Sequence, residues 1–349
     1  MSRTSARQND LPGATVMTDA ALDCVVIGGG PAGLTAALYL ARFHLSVVLL
    51  DAGDSRAAQI PRSRNVPGFP GGVRGPTLLK RMARQVADHG TTIVAAEATA
   101  LTRGRGLFHV ETGAGSFTAR RVLLATGVHN RRPRIAARDH DAALRRGLLR
   151  YCPICDGYEV TDRKLGVIGT GGHGVREALF LRGYTSDVTL IAPDAPHDLS
   201  GDDRTALARA GVAVLDGPCG RLVLDGDRIA VDTASGRRSF ASIYPALGST
   251  IRSDLARALG AKMSQDGCLV VDAHQRTSVP GLYAAGDVVK GLDQISHAMG
   301  EGGVAATTIR NDLAERAPLL RGCPFDAGRV TLRALPIDRD RSGLSRGSG

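Results

Sequence analysis

At 349 residues with 43% hydrophobic side chains, the chain is long enough for two domains, each with its own core. Its net charge of +10 is carried almost wholly by Arg, but aromatics make up only 4% and Trp is absent, so the basic-aromatic interleaving of nucleic-acid binders is missing. No apolar run reaches the roughly 18 residues that cross a bilayer, and the polar first twenty residues carry no signal-like segment, which predicts a soluble, cytoplasmic protein.

Residues 1–18 and 321–349, rich in Arg, Ser, Gly and Asp, are expected to be disordered tails. Residues 23–27 are a short apolar strand that runs into Gly28-Gly29-Gly30-Pro31-Ala32-Gly33. Leu34, Ala37, Leu38, Ala41 and Leu45 then recur at helical spacing, residues 46–50 form a second strand, and Asp51 follows. Strand, glycine turn, helix, strand and acid together meet the context a dinucleotide fingerprint requires. Gly28, Gly30 and Gly33 let the backbone turn tightly and approach a pyrophosphate, which the free N–H groups of the helix start would receive. Asp51, 23 residues past Gly28, is placed to accept from ribose hydroxyls. A loop dense in turn residues spans 64–71 and includes Asn65; a helix is expected over 75–89, then a hairpin over 107–110 and 116–118, then a buried strand over 122–125.

Seven Arg fall between Arg131 and Arg150. They read either as a solvated surface or as a docking face for an acidic protein partner. Next comes Cys152-Pro153-Ile154-Cys155-Asp156-Gly157, and fourteen residues past Cys155 a second G-x-G-x-x-G begins, with Gly169, Gly171 and Gly174, between strands at 165–168 and 188–191. A hairpin opens at 229–232, and a strand at 243–247 ends at Gly248. The second half thus repeats the plan of the first on a shorter scale. A strand at 268–271, the run 281–287 ending in Gly286-Asp287, and a helix over 301–314 complete the core. Cys24 and Cys268 read as packing residues in apolar strands; Cys219 and Cys323 receive no role. The remaining Cys offer no second close ligand pair, so no metal site is expected.

The first fingerprint, the Ala125-Thr126-Gly127 corner, the C-x-x-C-D-G run, the second fingerprint and Ala285-Gly286-Asp287 follow one another as in the low-molecular-weight thioredoxin reductases, which residues 23–313 resemble as a divergent member. The resemblance implies an α/β fold of two Rossmann-like three-layer nucleotide-binding domains, the second inserted in the first. An FAD domain would comprise residues 19–127 and 249–320, and an NAD(P) domain residues 128–248. FAD would be held by Gly28, Gly30, Gly33, Asp51, Asn65, Ala125, Gly127, Gly286, Asp287, Gln294 and Ile295, and NADPH or NADH at Gly169, Gly171 and Gly174. A homodimer that acts on thioredoxin or a small disulfide or dithiol is also implied.

Two Cys at i and i+3 can close a small reversible ring, so exchange with an external disulfide becomes effectively intramolecular. Pro153 suits a first helical turn, which favours a nucleophilic thiolate at Cys152. By resemblance Cys155 faces the flavin, Cys152 attacks the partner, and Asp156 gives and takes the proton. A thioredoxin-type domain would instead place the pair early in its own βαβ unit. Three departures stand out. Ala192-Pro193-Asp194 replaces the cationic cluster that binds a 2′-phosphate, and Asp194 would repel phosphate. His173 lies inside the second loop. Cys-Pro-Ile-Cys, with residues 287–297, resembles a branch that includes dithiol oxidases and reductases fed by other donors, and there His297 would stand near the flavin and Cys155.

Overall fold

The computed structural model describes residues 21–320, so both expected tails and Cys323 lie outside the described residues. The first elements are β1 (Leu22–Ile27), α1 (Pro31–Arg42), β2 (Val47–Leu50), α2 (Gly75–Ala87), β3 (Thr92–Val94), β4 (Ala98–Gly104), β5 (Leu107–Thr112) and β6 (Gly115–Leu124). After β7 (Val128–Asn130) come α3 (Ala137–Arg146), the single turn α4 (Pro153–Asp156), β8 (Leu165–Ile168), α5 (Gly171–Leu181), β9 (Val188–Ile191), α6 (Gly201–Arg209) and β10 (Ala213–Leu215). A meander of β11 (Leu222–Asp225), β12 (Arg228–Thr233) and β13 (Gly236–Phe240) leads into β14 (Ser242–Pro245). The chain ends with β15 (Ser249–Ile251), α7 (Asp254–Ala258), β16 (Leu282–Ala284) and α8 (Ile295–Ala314).

The large sheet runs β3-β2-β1-β6-β5-β4, with β16 also on β6. Its centre is parallel, and β4 to β6 form an antiparallel flap. β1 is apolar almost throughout because both faces are covered, and successive side chains go to opposite sides. Cys24 and Val26 pack toward α1 and α8, whereas Val25 and Ile27 join Phe108, Val110 and Phe117 on the other side. The chain leaves this sheet after Leu124 and rejoins it at Leu282. Between those points lies a second parallel sheet, β10-β9-β8-β14, with the β11–β13 meander, so one nucleotide-binding fold is nested in the other. The antiparallel pair β7–β15 stands where the chain passes between them.

Three elements differ from the sequence reading. The hairpin strand at 116–118 and the buried strand at 122–125 are one continuous strand, β6, whose first half pairs with β5 and whose last residues pair with β16. Residues 268–271 form no strand: Leu269 makes single bridges to Met263 and Val289, and Cys268 is only half-buried. α8 begins at Ile295, two turns before 301, although Gly300, Gly302 and Gly303 lower its helix propensity. The glycines permit contact instead. A Cβ on Gly302 would fall on the Ala32 carbonyl oxygen of α1, so backbone packing outweighs propensity.

α5 carries a buried acid into the second core. The Glu177 side chain is 12% exposed and its Oε2 lies 3.8 Å from His173 Nε2, while its Oε1 has no partner among the described residues. Burial pushes its carboxyl up to about 7.

Two outcomes follow from this packing. Gly302→Ala forces α1 and α8 apart and should cost about 1–3 kcal/mol in chemical denaturation. Because the folded value of Glu177 exceeds the ordinary 4.5, the folded chain holds an extra proton between 4.5 and about 7, and stability falls as pH rises through that window. Comparing denaturant midpoints at about pH 5 and about pH 8 should show a loss in the parent on the order of 2 kcal/mol that Glu177→Gln lacks.

Candidate active site

The first glycine loop is built by close backbone contact. Gly28 sits at φ +119°, and a Cβ there would strike the Ala125 carbonyl oxygen at the end of β6. A Cβ on Gly33 would strike the Gly28 carbonyl oxygen, so α1 starts directly over the loop. Pro31, at the first position of α1, has no N–H to lose there. Asp51 follows β2 and its Oδ1 accepts from the Gly53 N–H at 2.9 Å. These elements bound a cavity of about 800 Å³. All the flavin-site residues expected from the sequence line it except Gly33, which supports the loop from behind. A cradle from which side chains are excluded, with an acid at the neighbouring strand end, fits a dinucleotide.

Cys152, Cys155 and Asp156 line the same cavity as the loop residues. Cys152 is the cap residue of α4, Pro153 opens the turn, and the two Cys are joined as a disulfide. The Cys155 N–H points at Cys152 Sγ (3.1 Å), a donor that would favour a thiolate there once the pair is reduced. Gln294, which caps α8, places Nε2 3.3 Å from each sulfur. Its Oε1 accepts from Asn65 Nδ2 at 2.9 Å, and the Ser63 hydroxyl donates to Asn65 Oδ1 at 2.8 Å. Asn65 and Gln294, expected at the cofactor, therefore also reach the redox pair through their side chains.

Asp156 is held at both oxygens. Arg150 Nη1 donates to Oδ2 at 2.8 Å and the buried Tyr244 hydroxyl to Oδ1 at 2.9 Å. Burial raises the Asp156 carboxyl above its ordinary value, and Arg150 and Tyr244 offset only part of that rise. Neither partner was singled out in the sequence, where Arg150 was one of seven neighbouring Arg and Tyr244 one apolar strand residue. Of that Arg run, Arg134 and Arg146 are engaged too, by Asp194 and by the Gly226 carbonyl.

Around Asp287 the charges form a second group. Arg56 Nη1 bridges Asp287 (3.0 Å) and Asp293 (2.8 Å), and burial, then Asp287, raises the Asp293 carboxyl. Glu301 accepts the Gly286 N–H at 2.6 Å and meets His297 Nε2 at 3.0 Å. His297 pairs along α8 with Glu301 and does not itself line the cavity, although Gln294, Ile295 and Ala298 beside it do. Arg56 and Glu301 carried no motif that could have marked them.

The second loop keeps the turn but not its acid. A Cβ on Gly169 would come within 2.8 Å of the Ala246 carbonyl oxygen, and one on Gly174 within 2.8 Å of Gly169. Gly171 opens α5 at φ +59° with open space beyond. In the first unit the Gly28 N–H bonds Leu50 and the Asp51 N–H bonds Val94; in the second, Gly169 bonds Ile191 and Ala192 bonds Leu215. Ala192 therefore occupies the place that Asp51 has. Asp194 lies two residues further, 71% exposed and paired with Arg134 at 2.7 Å. None of Gly169, Gly171 and Gly174 lines the large cavity. Among the described residues no group of His, Cys, Asp and Glu is placed to hold a metal, and no helix is long and apolar enough to cross a membrane.

Comparison with known proteins matches this arrangement. Among solved structures, HlmI superposes with a TM-score of 0.79 at 32% identity, covering 86% of this chain and 95% of that one. The thioredoxin reductase of Streptococcus pyogenes superposes at 0.78 with 26% identity, over 85% and 100% of the two chains. The thioredoxin reductase of Listeria innocua is 29% identical over 307 residues, 84% of this chain and 94% of its own length. The family signature described as pyridine nucleotide-disulphide oxidoreductase matches residues 22–302. With two nested nucleotide folds and a C-x-x-C disulfide at the cavity of the first, the chain belongs to the pyridine nucleotide-disulphide oxidoreductases and is a flavoprotein disulfide oxidoreductase of thioredoxin reductase-like kind.

Proposed function

We propose that this chain is an FAD-dependent disulfide reductase, in which an electron pair from a nicotinamide cofactor reaches Cys152–Cys155 and then a protein disulfide such as that of thioredoxin. One observation carries the reading: the disulfide lines the same cavity as the first glycine loop, Asp51 and Asp287. FAD, when bound, supplies a two-electron carrier able to take a hydride and pass the pair to a disulfide. Gly28, Gly30 and Asp51 would hold its phosphates and ribose, with Gly33 behind them. Asn65, Ala125, Gly127, Gly286, Asp287, Gln294 and Ile295 would line the remainder. Gly169, Gly171 and Gly174 would take the nicotinamide cofactor's pyrophosphate.

The residues then divide the work. Cys155 accepts the electron pair as the S–S bond breaks, which frees Cys152. The Cys152 thiolate attacks one sulfur of the partner's disulfide and expels the other as a thiolate. Cys155 attacks the mixed disulfide, restores Cys152–Cys155 and releases the partner as a dithiol. Asp156 exchanges the proton that thiol and thiolate differ by.

A second reading is favoured by Ala192 at the place of the ribose acid and by Asp194 paired with Arg134. In it the nicotinamide is not used, and the pair either receives electrons from another donor or oxidises a dithiol with oxygen as final acceptor.

Anaerobic addition of NADPH or NADH to the yellow protein separates the two: bleaching of the flavin by either supports the first. Bleaching by a small dithiol and by neither nucleotide would favour the second. Cys152→Ser should abolish partner reduction while flavin bleaching persists; partner reduction that survives the change would refute the assignment of the attacking thiol. Gly28→Ala places a methyl on the Ala125 carbonyl and should yield colourless protein.

A further inference from the structure

Asp156 is anchored more firmly than its neighbours in the redox motif. Arg150 approaches Oδ2 and Tyr244 approaches Oδ1, at 2.8 and 2.9 Å, so the carboxylate has a donor on each oxygen. Both donors are themselves fixed. Arg150 Nε donates to the Gly147 carbonyl at 2.9 Å and reaches the Ser242 hydroxyl at 3.3 Å. A Cβ on Gly147 would lie 2.6 Å from Arg150 Nη2, so glycine there leaves room for the guanidinium. Tyr244 is fully buried in β14, beside Ser242 on the same strand. The clamp thus ties the redox turn to the second sheet.

We propose that Arg150 and Tyr244 are positioning residues that clamp the Asp156 carboxylate beside Cys152–Cys155 for proton transfer to and from the pair. The inference rests on the reading that Asp156 exchanges protons with these thiols. Oxidation of the dithiol breaks two S–H bonds, forms the S–S bond, delivers two electrons to an oxidised flavin and releases two protons. Asp156 accepts one of these and the surroundings the other. Reduction returns them. Two hydrogen bonds to the charged form offset part of the rise that burial imposes on the carboxyl. The other titratable groups facing this corner are Glu159, which pairs with Arg64 at 3.3 Å, and Tyr184, whose ring stands against Gly157 from the end of α5. Glu159 opposes the clamp and Arg150 supports it.

The clamp is tested by titrating Asp156 directly, through carboxyl ¹³C shifts in aspartate-labelled protein, with its resonance identified by loss in Asp156→Asn. Arg150→Met should move the midpoint up by about one pH unit or more. Tyr244→Phe should move it the same way by less, and Arg150→Lys, which keeps one charged donor, should restore most of the shift. The second readout is the pH profile of flavin bleaching by dithiothreitol in the holoprotein. Its acid limb should vanish in Asp156→Asn and follow the titration upward in Arg150→Met. An Asp156 midpoint unmoved by both Arg150→Met and Tyr244→Phe would overturn the clamp. If the midpoint moves but Asp156→Asn keeps the parent's acid limb, the proton-transfer reading fails instead.

Discussion

The candidate site depends on how closely four backbone segments converge at Gly28. The Gly28 N–H bonds the end of β2, and its α-carbon faces the Ala125 carbonyl at the end of β6. The start of α1 presses on it through Gly33, and Gly286, at φ +79°, brings the end of β16 within 2.9 Å of the Ala32 Cβ, measured from an added Cβ. A side chain at any of these points would separate elements that must touch. The cavity floor is therefore backbone from which side chains are excluded, and that rigidity lets a loop carry a site.

On this floor the redox pair is held by polar contacts rather than by apolar burial. Ser63, Asn65 and Gln294 form a chain that ends on both sulfurs, and Arg150 with Tyr244 fixes the adjacent acid. Each link joins residues more than eighty positions apart except those within the 63–65 loop and between Arg150 and Asp156. Arg56 likewise joins two close acids, Asp287 and Asp293, across more than two hundred positions of chain. Such half-buried groups cost little only while every partner stays in place.

The two nucleotide folds have diverged in an informative way. Backbone hydrogen bonds superimpose Ala192 on the role of Asp51, so the second unit has retained its turn and lost its strand-end acid. Asp194 lies two residues beyond and is paired with Arg134 from outside the βαβ unit. The letters of the fingerprint report glycine packing, which both units share, more reliably than the chemistry of the ligand.

What the sequence by itself determined is local and periodic. Glycine spacing, strand-helix alternation and the C-x-x-C pair placed the loops, the redox turn and the repeat of plan, because φ restrictions and hydrophobic period act within a few residues. It began α8 six residues late, at 301 instead of Ile295, and it split β6, whose two halves serve different neighbours. Only the tertiary structure decided that Gln294 rests on the sulfurs, that Arg150 and Tyr244 grip Asp156, and that His297 turns to Glu301 instead of the cavity. Those contacts are made by single side chains far apart in the chain, and a lone Gln, Tyr or Arg carries no period from which its partner can be read.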